Sequence, residues 1–314
     1  MRKQPHRNVN IHLIDGTYEL FRNYFGAPKR KSPDGPPDRT VGEQGTVVRA
    51  GREVGATVGL LRSLVALLVQ PGVTHVACAF DHVIESFRNK LFSGYKTGEG
   101  IDPELLAQFP LAEEAVSALG IVVWPMVKFE ADDALATAAA RFKDAKGVGQ
   151  VVICSPDKDL AQSVRGKKVV CWDRRREIVY DEKGVVQKFG VHPESMPDWL
   201  ALVGDAADGY PGIQGWGAKS ASAVLARFKH LEKIPQDPQR WKLKLGRAPY
   251  LSENLESHRR ETLLYRKLAT LREDVPLKEK LGDLEWRGAR GRLKSLCVDL
   301  GVKELPDRIP TWRS

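Results

Sequence analysis

Short apolar runs alternate with helical patterns over roughly the first two hundred residues of this 314-residue chain. Such alternation is typical of a mostly parallel α/β sheet whose strands are joined by crossover helices. Leucines at spacings of three and four give one predicted helix, residues 56–69, a continuous apolar face. The predicted strands span residues 9–14, 74–80, 121–124, 150–155 and 168–171, and the other predicted helices span 103–119 and 131–142.

Carboxylates follow the ends of these predicted strands. Asp15 closes the first strand and Asp81 the second, and the others stand at later junctions between strand and helix or in a loop after residue 203. Because ligands in such folds bind beyond the carboxyl ends of the strands, along one edge of the sheet, we expect these side chains to converge there. The set is Asp15, Asp81, Glu130, Asp132, Asp133, Asp157, Asp159, Asp205 and Asp208.

The chain as a whole is basic, with a formal net charge of +9 and a pI near 9.3. Carboxylates a few ångströms apart either raise each other's pKa or hold a metal ion. A basic surface favours polyanionic partners, although net charge says nothing about fold. An acidic pocket in a basic protein therefore predicts divalent cations that act on nucleic acid.

Two short motifs supply most of the carboxylates. Residues 130–133 read Glu-Ala-Asp-Asp before an alanine-rich helix, and residues 155–159 read Ser-Pro-Asp-Lys-Asp after a strand. Carboxylate oxygens suit Mg²⁺, which is held by a few carboxylates and keeps several waters. We expect Asp157 and Asp159 to face one site while Lys158 points elsewhere. The alternative for both motifs is a favourable charge or a cap at a helix N-terminus.

The loop at residues 204–217 contains five glycines and precedes a predicted helix that starts at Ala218. Glycines let backbone amides approach a phosphate closely, and a helix N-terminus favours an anion. Lys219 does not directly follow a glycine, and the loop leaves a helix rather than a strand. The loop therefore does not match the Walker pattern of nucleoside triphosphate sites.

Residues 87–98 combine cations with aromatic side chains. We expect Tyr95 to stack on a DNA base, and Arg88 and Lys96 to contact phosphate. The alternative is a solvated basic helix whose Phe87 and Leu91 pack in the core.

The remaining features are those of an ordinary globular chain, with 42% apolar and 28% charged residues. The four cysteines form no C-x-x-C pair and are expected to be buried thiols in a reducing cytosol. No stretch approaches the roughly 20 apolar residues that cross a membrane. We therefore expect no membrane association and a cytoplasmic, nucleoid-associated protein. Residues 29–55 are polar and rich in glycine and proline, which predicts a flexible loop.

Over residues 9–230, six motifs in order resemble those of the 5′-nuclease family. That family includes the 5′→3′ exonuclease domain of bacterial DNA polymerase I, phage 5′-exonucleases and flap endonucleases. The chain departs from the family pattern at Pro156, where glycine or threonine is usual, at Gly209, where asparagine is usual, and at Glu99, where a basic residue is frequent. The six motifs are Asp15-Gly16, Phe80-Asp81, Tyr95-Lys96, Glu130-Ala131-Asp132-Asp133, Asp157-Lys158-Asp159, and Gly204-Asp205 with Asp208.

The resemblance implies a PIN-like (resolvase-like) α/β fold with a helical arch, followed by a helical region that contains a helix-three-turn-helix element. The catalytic domain would span residues 8–180 with the arch at about 84–110, and the helical DNA-binding domain residues 181–300 with its element at about 195–230. Tyr95 and Lys96 would lie in the arch. The glycine loop would bind duplex DNA with help from a K⁺ ion, through Gly212, Gly215, Gly217, Lys219 and Ser220.

The implied activity is that of a metal-dependent 5′→3′ exonuclease or flap endonuclease acting on 5′ ends, flaps or gaps in DNA. Our hypothesis is that two Mg²⁺ or Mn²⁺ ions about 3.5–4 Å apart carry out the hydrolysis, while Lys96 and Arg88 offset charge on the phosphate. We expect a monomer, with a separate DNA polymerase as a candidate partner. The first ion would be held by Asp15, Asp81, Glu130, Asp132 and Asp133, and the second by Asp157, Asp159, Asp205 and Asp208.

Two alternatives stay open at this point. One is a non-catalytic relative that binds DNA structures, which loss of carboxylates would mark; this chain retains every one of them. The other is a ribonuclease that acts on the RNA strand of hybrids.

Overall fold

The computed structural model describes residues 9–26, 48–49 and 52–313. Within them, six strands form one sheet, in which all neighbours pair in parallel except the last two. The strands of the described residues are β1 (Val9–Asp15), β2 (Val48–Arg49), β3 (Arg52–Glu53), β4 (His75–Asp81), β5 (Val122–Met126), β6 (Val148–Cys154), β7 (Val169–Asp173) and β8 (Ile178–Tyr180). The order across the sheet is β5-β4-β1-β6-β7-β8, and β2 and β3 form a separate antiparallel ribbon.

The predicted parallel α/β architecture is confirmed. All five predicted strands are present, and their observed ends lie within two residues of the predicted ones. In β1 every residue from Ile11 to Asp15 is buried, so both faces of this central strand are covered. Burial on both faces is typical of a central strand in a parallel sheet, and here it extends to the polar side chain of His12.

Helices cover both faces of the sheet, and the described chain after β8 contains helices and turns but no further strand. Ile11 and Leu13 of β1 pack on one face with the helix that begins at Ala131, whereas Ile14 packs on the other face with the helix at 55–68. The helices are α1 (Gly16–Gly26), α2 (Gly55–Leu68), α3 (Pro103–Leu106), α4 (Phe109–Ala118), α5 (Ala131–Phe142), α6 (Glu182–Phe189), α7 (Met196–Val203), α8 (Ala218–Phe228), α9 (Ala248–Ser257), α10 (Arg259–Ala269) and α11 (Arg292–Asp299).

The helix predicted at residues 103–119 is divided into α3 and α4. Pro110 occupies the second residue of α4. Proline has no backbone N–H, and its ring collides with the carbonyl four residues earlier, so a continuous helix cannot pass through it. The break leaves Gln108 between the two helices, where its side-chain oxygen accepts a hydrogen bond from the Thr57 backbone N–H at 3.0 Å.

The segment predicted to form a helical arch, at about residues 84–110, differs from that expectation. It contains a single 3-10 turn at Phe87–Lys90, the one-turn helix α3 and the start of α4, with turns between them. Gly94, Gly98 and Gly100 lie in the intervening stretch, and the φ angle of +80° at Gly100 is incompatible with a right-handed helix. The glycine content explains why long helices do not form here.

The segment predicted to be a flexible loop, residues 29–55, lies largely outside the described residues. Only the ribbon of β2 and β3, Val54 and the start of α2 at Gly55 are described. The four cysteines are buried and unpaired, as predicted. No helix among the described residues is long and apolar enough to cross a membrane.

Candidate metal centre

The register of the central strands explains why distant carboxylates meet. Asp15 at the end of β1 pairs with Ala79 of β4, and Ile14 pairs with Cys154 at the end of β6. The ends of these three neighbouring strands therefore lie side by side, and the residues that follow them emerge at the same edge of the sheet.

Asp15 is buried at this edge. Its carboxylate accepts hydrogen bonds from the Tyr18 backbone N–H at 2.8 Å and from Ser155 Oγ at 2.8 Å. Burial raises the pKa of Asp15 to about 7, and the charges of Asp81 and Asp157 act in the same direction. The raised pKa shows that no nearby cation in the described part of the chain offsets the burial of this carboxyl group.

Asp81 and Asp132 complete this group. The Ala131 backbone N–H, at the start of α5, donates to Asp81 Oδ1 at 2.7 Å. Burial, followed by the charges of Asp157 and Asp15, raises the pKa of Asp132 well above its usual value. We refer to Asp15, Asp81, Asp132 and Asp157 as the first acid set.

A second acid set consists of Asp159, Asp205 and Asp208. Each offers one carboxylate oxygen, and these oxygens lie within 4.8 Å of one another. Asp159 Oδ1 is buried and has no hydrogen-bond partner among the described residues. Burial, with Asp157 and Asp208 nearby, raises the pKa of Asp159 well above its usual value. Asp157 lies close enough to influence both sets, and so connects them.

The chemistry of these donors fits a hard divalent cation. Mg²⁺ and Mn²⁺ prefer oxygen ligands, and the two sets offer carboxylate oxygens whose mutual repulsion a cation would relieve. The unpartnered Asp159 Oδ1 is a buried polar atom, which is costly unless something binds it. The arrangement can therefore hold metal ions at the edge of the sheet.

Two lysines provide part of the missing positive charge. Lys96 Nζ lies 2.8 Å from Glu130 Oε2 and 3.1 Å from Asp208 Oδ1. Lys158 Nζ lies 2.6 Å from Asp205 Oδ2. The expectation that Lys158 points away from the site is wrong, because Asp205 reaches it from the loop after α7.

Arg88 and Asp133 occupy positions different from those expected of a phosphate contact and a metal ligand. The Arg88 guanidinium is buried and donates to both oxygens of Asp133 at 2.8 Å and to Glu130 Oε1 at 3.0 Å. It also donates to the Leu268 and Thr270 carbonyls at 2.7 and 3.2 Å. With these partners, the guanidinium faces the protein interior rather than a bound phosphate.

Asp133 is fully buried and saturated with donors. Besides Arg88, the backbone N–H groups of Glu130 and Arg272 donate to it at 3.0 and 2.9 Å. These contacts join the start of α5 to the chain that leaves α10. They favour a structural role for Asp133 over direct metal binding, contrary to the expectation from the Glu-Ala-Asp-Asp motif.

Glu130 lies between Arg88 and Lys96 and contacts both of them. Burial alone would raise its pKa, but Lys96 and Arg88 hold the pKa of Glu130 down to about 2. Ser86 Oγ and Arg88 bond one carboxylate oxygen, and Lys96 contacts the other. Glu130 thus orients Lys96 beside the second acid set.

Tyr95 is buried, and its hydroxyl lies 3.1 Å from Asp208 Oδ2 and 3.3 Å from Glu130 Oε2. The ring is therefore not available to stack on a DNA base, contrary to the expectation from the sequence. Its position follows from the docking of residues 94–96 onto the Asp208 segment, where the Lys96 N–H donates to the Asp208 carbonyl at 3.0 Å.

Gly209 permits this docking, and its replacement is our first prediction. Its φ is +85°, and an added Cβ would lie 2.1 Å from the Gly94 carbonyl oxygen. Gly209→Ala should therefore displace Lys96 and lower kcat for DNA cleavage by about a hundredfold.

Gly147→Ala is the matched control, since Gly147 has φ +86° with open space around the added Cβ. It should cost about 1–2 kcal/mol of backbone strain and leave kcat unchanged. Equal kcat values for the two variants would contradict a role for this contact.

The glycine loop between α7 and α8 is tightly folded. Gly204 and Gly212 have φ angles of +85° and +74°, and a Cβ on either would collide with the backbone of the opposing strand of the loop. Gly217 caps α8, where Ser220 Oγ accepts its N–H at 3.0 Å and donates to its carbonyl at 3.0 Å. Ser220 therefore serves the cap rather than facing outward.

The outer surface of the loop offers donors to an anion. Lys219 is exposed in the first turn of α8, and no ion-pair partner for it is found within the described part of the chain. Gly215, at φ +84°, lies against the ring of Tyr250 in α9. The loop is thus supported from behind by α9 and leaves Lys219 available to solvent.

Sequence reasoning missed three contributors to the centre. Ser155 bonds Asp15, Lys158 pairs with Asp205, and the Tyr210 hydroxyl is buried without a partner among the described residues. The position of Ser155 directly after a strand was a usable signal, because every residue there reaches the same edge of the sheet. Nothing in the local sequence distinguishes the other two from ordinary core or surface residues.

Two family descriptions match successive parts of the chain. Residues 10–190 match "5'-3' exonuclease, N-terminal resolvase-like domain", and residues 191–292 match "5'-3' exonuclease, C-terminal SAM fold". Together these matches cover most of the described fold, with the boundary just after α6.

Known proteins of similar sequence include exonucleases and polymerases. A 5′-3′ exonuclease of Aquifex aeolicus is 30% identical over 296 residues, which are 94% of this chain and 93% of that protein. DNA polymerase I of Mycobacterium leprae is 30% identical over 311 residues, which are 98% of this chain but 32% of the polymerase. The chain thus spans nearly all of the first relative and about a third of the second.

Solved structures show the same fold at lower identity. The T5 D15 protein, crystallised with metal ions, superposes with a TM-score of 0.63 at 16% identity, over 95% of this chain and 96% of that one. At this identity the likeness concerns the fold alone.

Proposed function

The chain belongs to the 5′-3′ exonuclease family, and on that premise we propose that it is a metal-dependent nuclease that hydrolyses DNA at 5′ ends and 5′ flaps. The observation that carries the proposal is the second acid set, in which three carboxylate oxygens lie within 4.8 Å of one another. A non-catalytic DNA-binding protein would have no use for that concentration of buried negative charge.

We assign the metal ligands from the contacts described above. The first acid set would hold one Mg²⁺ or Mn²⁺ ion and the second acid set another, with Asp157 between them. Divalent ions bound there supply a water of lowered pKa and stabilise charge on the phosphate. Glu130 and Asp133 are left out of the ligand list because the buried Arg88 guanidinium bonds both of them, whereas, within the described chain, Asp205 and Asp208 pair only with the more exposed Lys158 and Lys96.

Lys96 is the residue that we assign to the reacting phosphate. Burial acts against its charge, but Glu130 and Asp208 raise the pKa of Lys96 well above its usual value, so it is a cation throughout the physiological range. Held by carboxylates on two sides, the ammonium is preorganised beside the acid sets. A fixed cation of this kind stabilises charge that develops on a phosphoryl group.

The helical region after about residue 181 would hold the duplex part of the substrate. Backbone amides of Gly212 and Gly215, together with Lys219, would face the phosphate backbone, and a K⁺ ion would assist at the same loop, whereas the Gly217 N–H already bonds Ser220 Oγ. Arg88, Tyr95 and Ser220, which have internal partners, are not assigned to DNA. We propose that the protein acts as a monomer on DNA ends that a separate polymerase exposes.

The test is a cleavage assay with 5′-labelled flap, gapped and blunt DNA. We expect release of short 5′ products from the flap and the gapped substrate in Mg²⁺, and no product in EDTA, because the acid sets repel phosphate when no cation is bound. Cleavage that persists in EDTA, or a complete absence of cleavage with either metal, would reject the proposal.

A further inference from the structure

A second cationic surface lies next to the glycine loop. Residues 238–252 contain four cations and no carboxylate, although the chain as a whole has 49 cationic and 40 acidic residues. The four are Arg240, Lys242, Lys244 and Arg247, which we call the basic strip; all are exposed. No ion pair with a carboxylate is found for any of them among the described residues.

Apolar residues within the segment anchor the strip to the protein. Trp241 is fully buried, and Leu243 and Leu245 pack against the apolar cluster that contains α5, while Lys242 and Lys244 are exposed. Exposed lysines thus alternate with buried or half-buried apolar residues from 241 to 245. Lys242 and Lys244 are therefore exposed two residues apart on a segment that its apolar residues hold in place.

A contact between two tryptophan rings and hydrogen bonds with α9 hold the strip and the glycine loop together. The Trp241 ring lies 5.9 Å from the ring of Trp216, the residue before the cap of α8. Trp216 Nε1 donates to the Leu251 carbonyl at 3.0 Å, and Asn254 Nδ2 donates to the Gln214 carbonyl at 3.0 Å. A ligand that binds the loop would thus meet the strip at a fixed distance, with no flexible connection between them.

From these contacts we infer that the basic strip is a second binding surface for the phosphate backbone of duplex DNA. This surface continues that of the glycine loop along the axis of the DNA duplex. The inference rests on the proposed function, since the loop must itself bind duplex DNA. Charge complementarity selects the partner: exposed cations without carboxylates release counterions from a polyanion and gain affinity from that release. The strip would add affinity without reading base sequence, because backbone contacts carry no sequence information.

The test is fluorescence anisotropy with a 25-base-pair DNA duplex closed by a hairpin at both ends, in EDTA. The closed ends and the absence of metal keep the acid sets from contributing to binding or cutting. The strip variant is Lys242→Ala with Lys244→Ala. The matched control is Lys278→Ala with Lys280→Ala, two exposed lysines with the same spacing beside β5, where Trp124 Nε1 bonds Glu279. Lys219→Ala reports on the loop.

We expect the strip variant to bind about tenfold more weakly at 0.1 M salt and to lower the slope of log affinity against log salt by about 1.8, or 0.9 for each lost phosphate contact. The control should keep the wild-type affinity and slope, and Lys242→Arg with Lys244→Arg should restore both.

Two results would overturn the inference. One is a wild-type slope in the strip variant, and the other is an equal loss in the control, which would mean that only net charge matters. Either result leaves the proposed function standing if Lys219→Ala still weakens binding and Mg²⁺-dependent flap cleavage persists. Loss of cleavage in the wild-type protein is the separate result that rejects the proposed function.

Discussion

Replacement of Asp159 by asparagine should lower kcat for flap cleavage by about three orders of magnitude, equivalent to about 4 kcal/mol of transition-state stabilisation. In EDTA, the same substitution should raise the melting temperature of the protein. The two effects share one cause. Asp159 brings a buried carboxyl group to the second acid set, and its Oδ1 atom has no protein partner among the described residues.

The sign of the stability effect follows from linkage. Burial and the neighbouring carboxylates raise the pKa of Asp159 in the folded protein. A carboxyl group whose pKa rises on folding favours the folded state only below its unfolded pKa, and that stability is lost as the pH rises through the folded pKa. The gain from asparagine should therefore be larger at pH 8 than at pH 5, and on the order of 1 kcal/mol, or about 2–4 °C.

The control for this variant is Asp307→Asn, an exposed residue far along the chain from either acid set. It should change neither kcat nor the melting temperature. An Asp159→Asn protein that cleaves flaps at the wild-type rate in Mg²⁺ would show that the second acid set is not a metal site. A lower melting temperature in EDTA would show that the carboxylate serves folding instead.

Replacement of Arg88 by alanine should cost about 3–5 kcal/mol of folding free energy, a large share of the typical 5–15 kcal/mol total. The guanidinium and Asp133 are both buried, with contacts of 2.8 Å to each carboxylate oxygen. Removing one partner leaves the other charge buried and unpaired, which costs more than the pair contributes. Urea denaturation followed by circular dichroism measures the loss.

A double-mutant cycle separates the pair from general damage to the core. Asp133→Ala alone should also be strongly destabilising, whereas the combined variant should be less destabilised than the sum of the two. Arg287→Ala is the matched control, because Arg287 is exposed and pairs with the exposed Glu285; its loss should cost about 1 kcal/mol or less. If Arg88→Ala is as stable as Arg287→Ala and only its kcat falls, then Arg88 contacts the phosphate, as the sequence suggested.

The position of the acid sets could be predicted from the sequence because it depends on topology. The carboxyl ends of parallel strands lie at one edge of the sheet. The carboxylates at the ends of β1, β4 and β6 were therefore enough to predict that Asp15, Asp81 and Asp157 lie close together. The same rule identified the motif at the start of α5. No information about distant parts of the chain was needed for this step.

The roles within the Glu130–Asp133 motif could not be predicted in the same way. Whether a carboxylate there binds a metal or an arginine depends on what approaches it from elsewhere. The carbonyls of Leu268 and Thr270, which hold the Arg88 guanidinium, are 180 and 182 residues away in sequence. Lys158 presents the same difficulty, since its partner Asp205 comes from the loop beyond α7.

The central claim is that the two acid sets hold divalent ions, and the most direct measurement is anomalous diffraction from crystals soaked in Mn²⁺. We predict two anomalous peaks at the carboxyl edge of the sheet, one beside Asp15 and Asp132 and one beside Asp159, Asp205 and Asp208. The second peak should disappear in Asp159→Asn crystals. Peaks confined to surface carboxylates such as Glu285, with none at either acid set, would contradict the account.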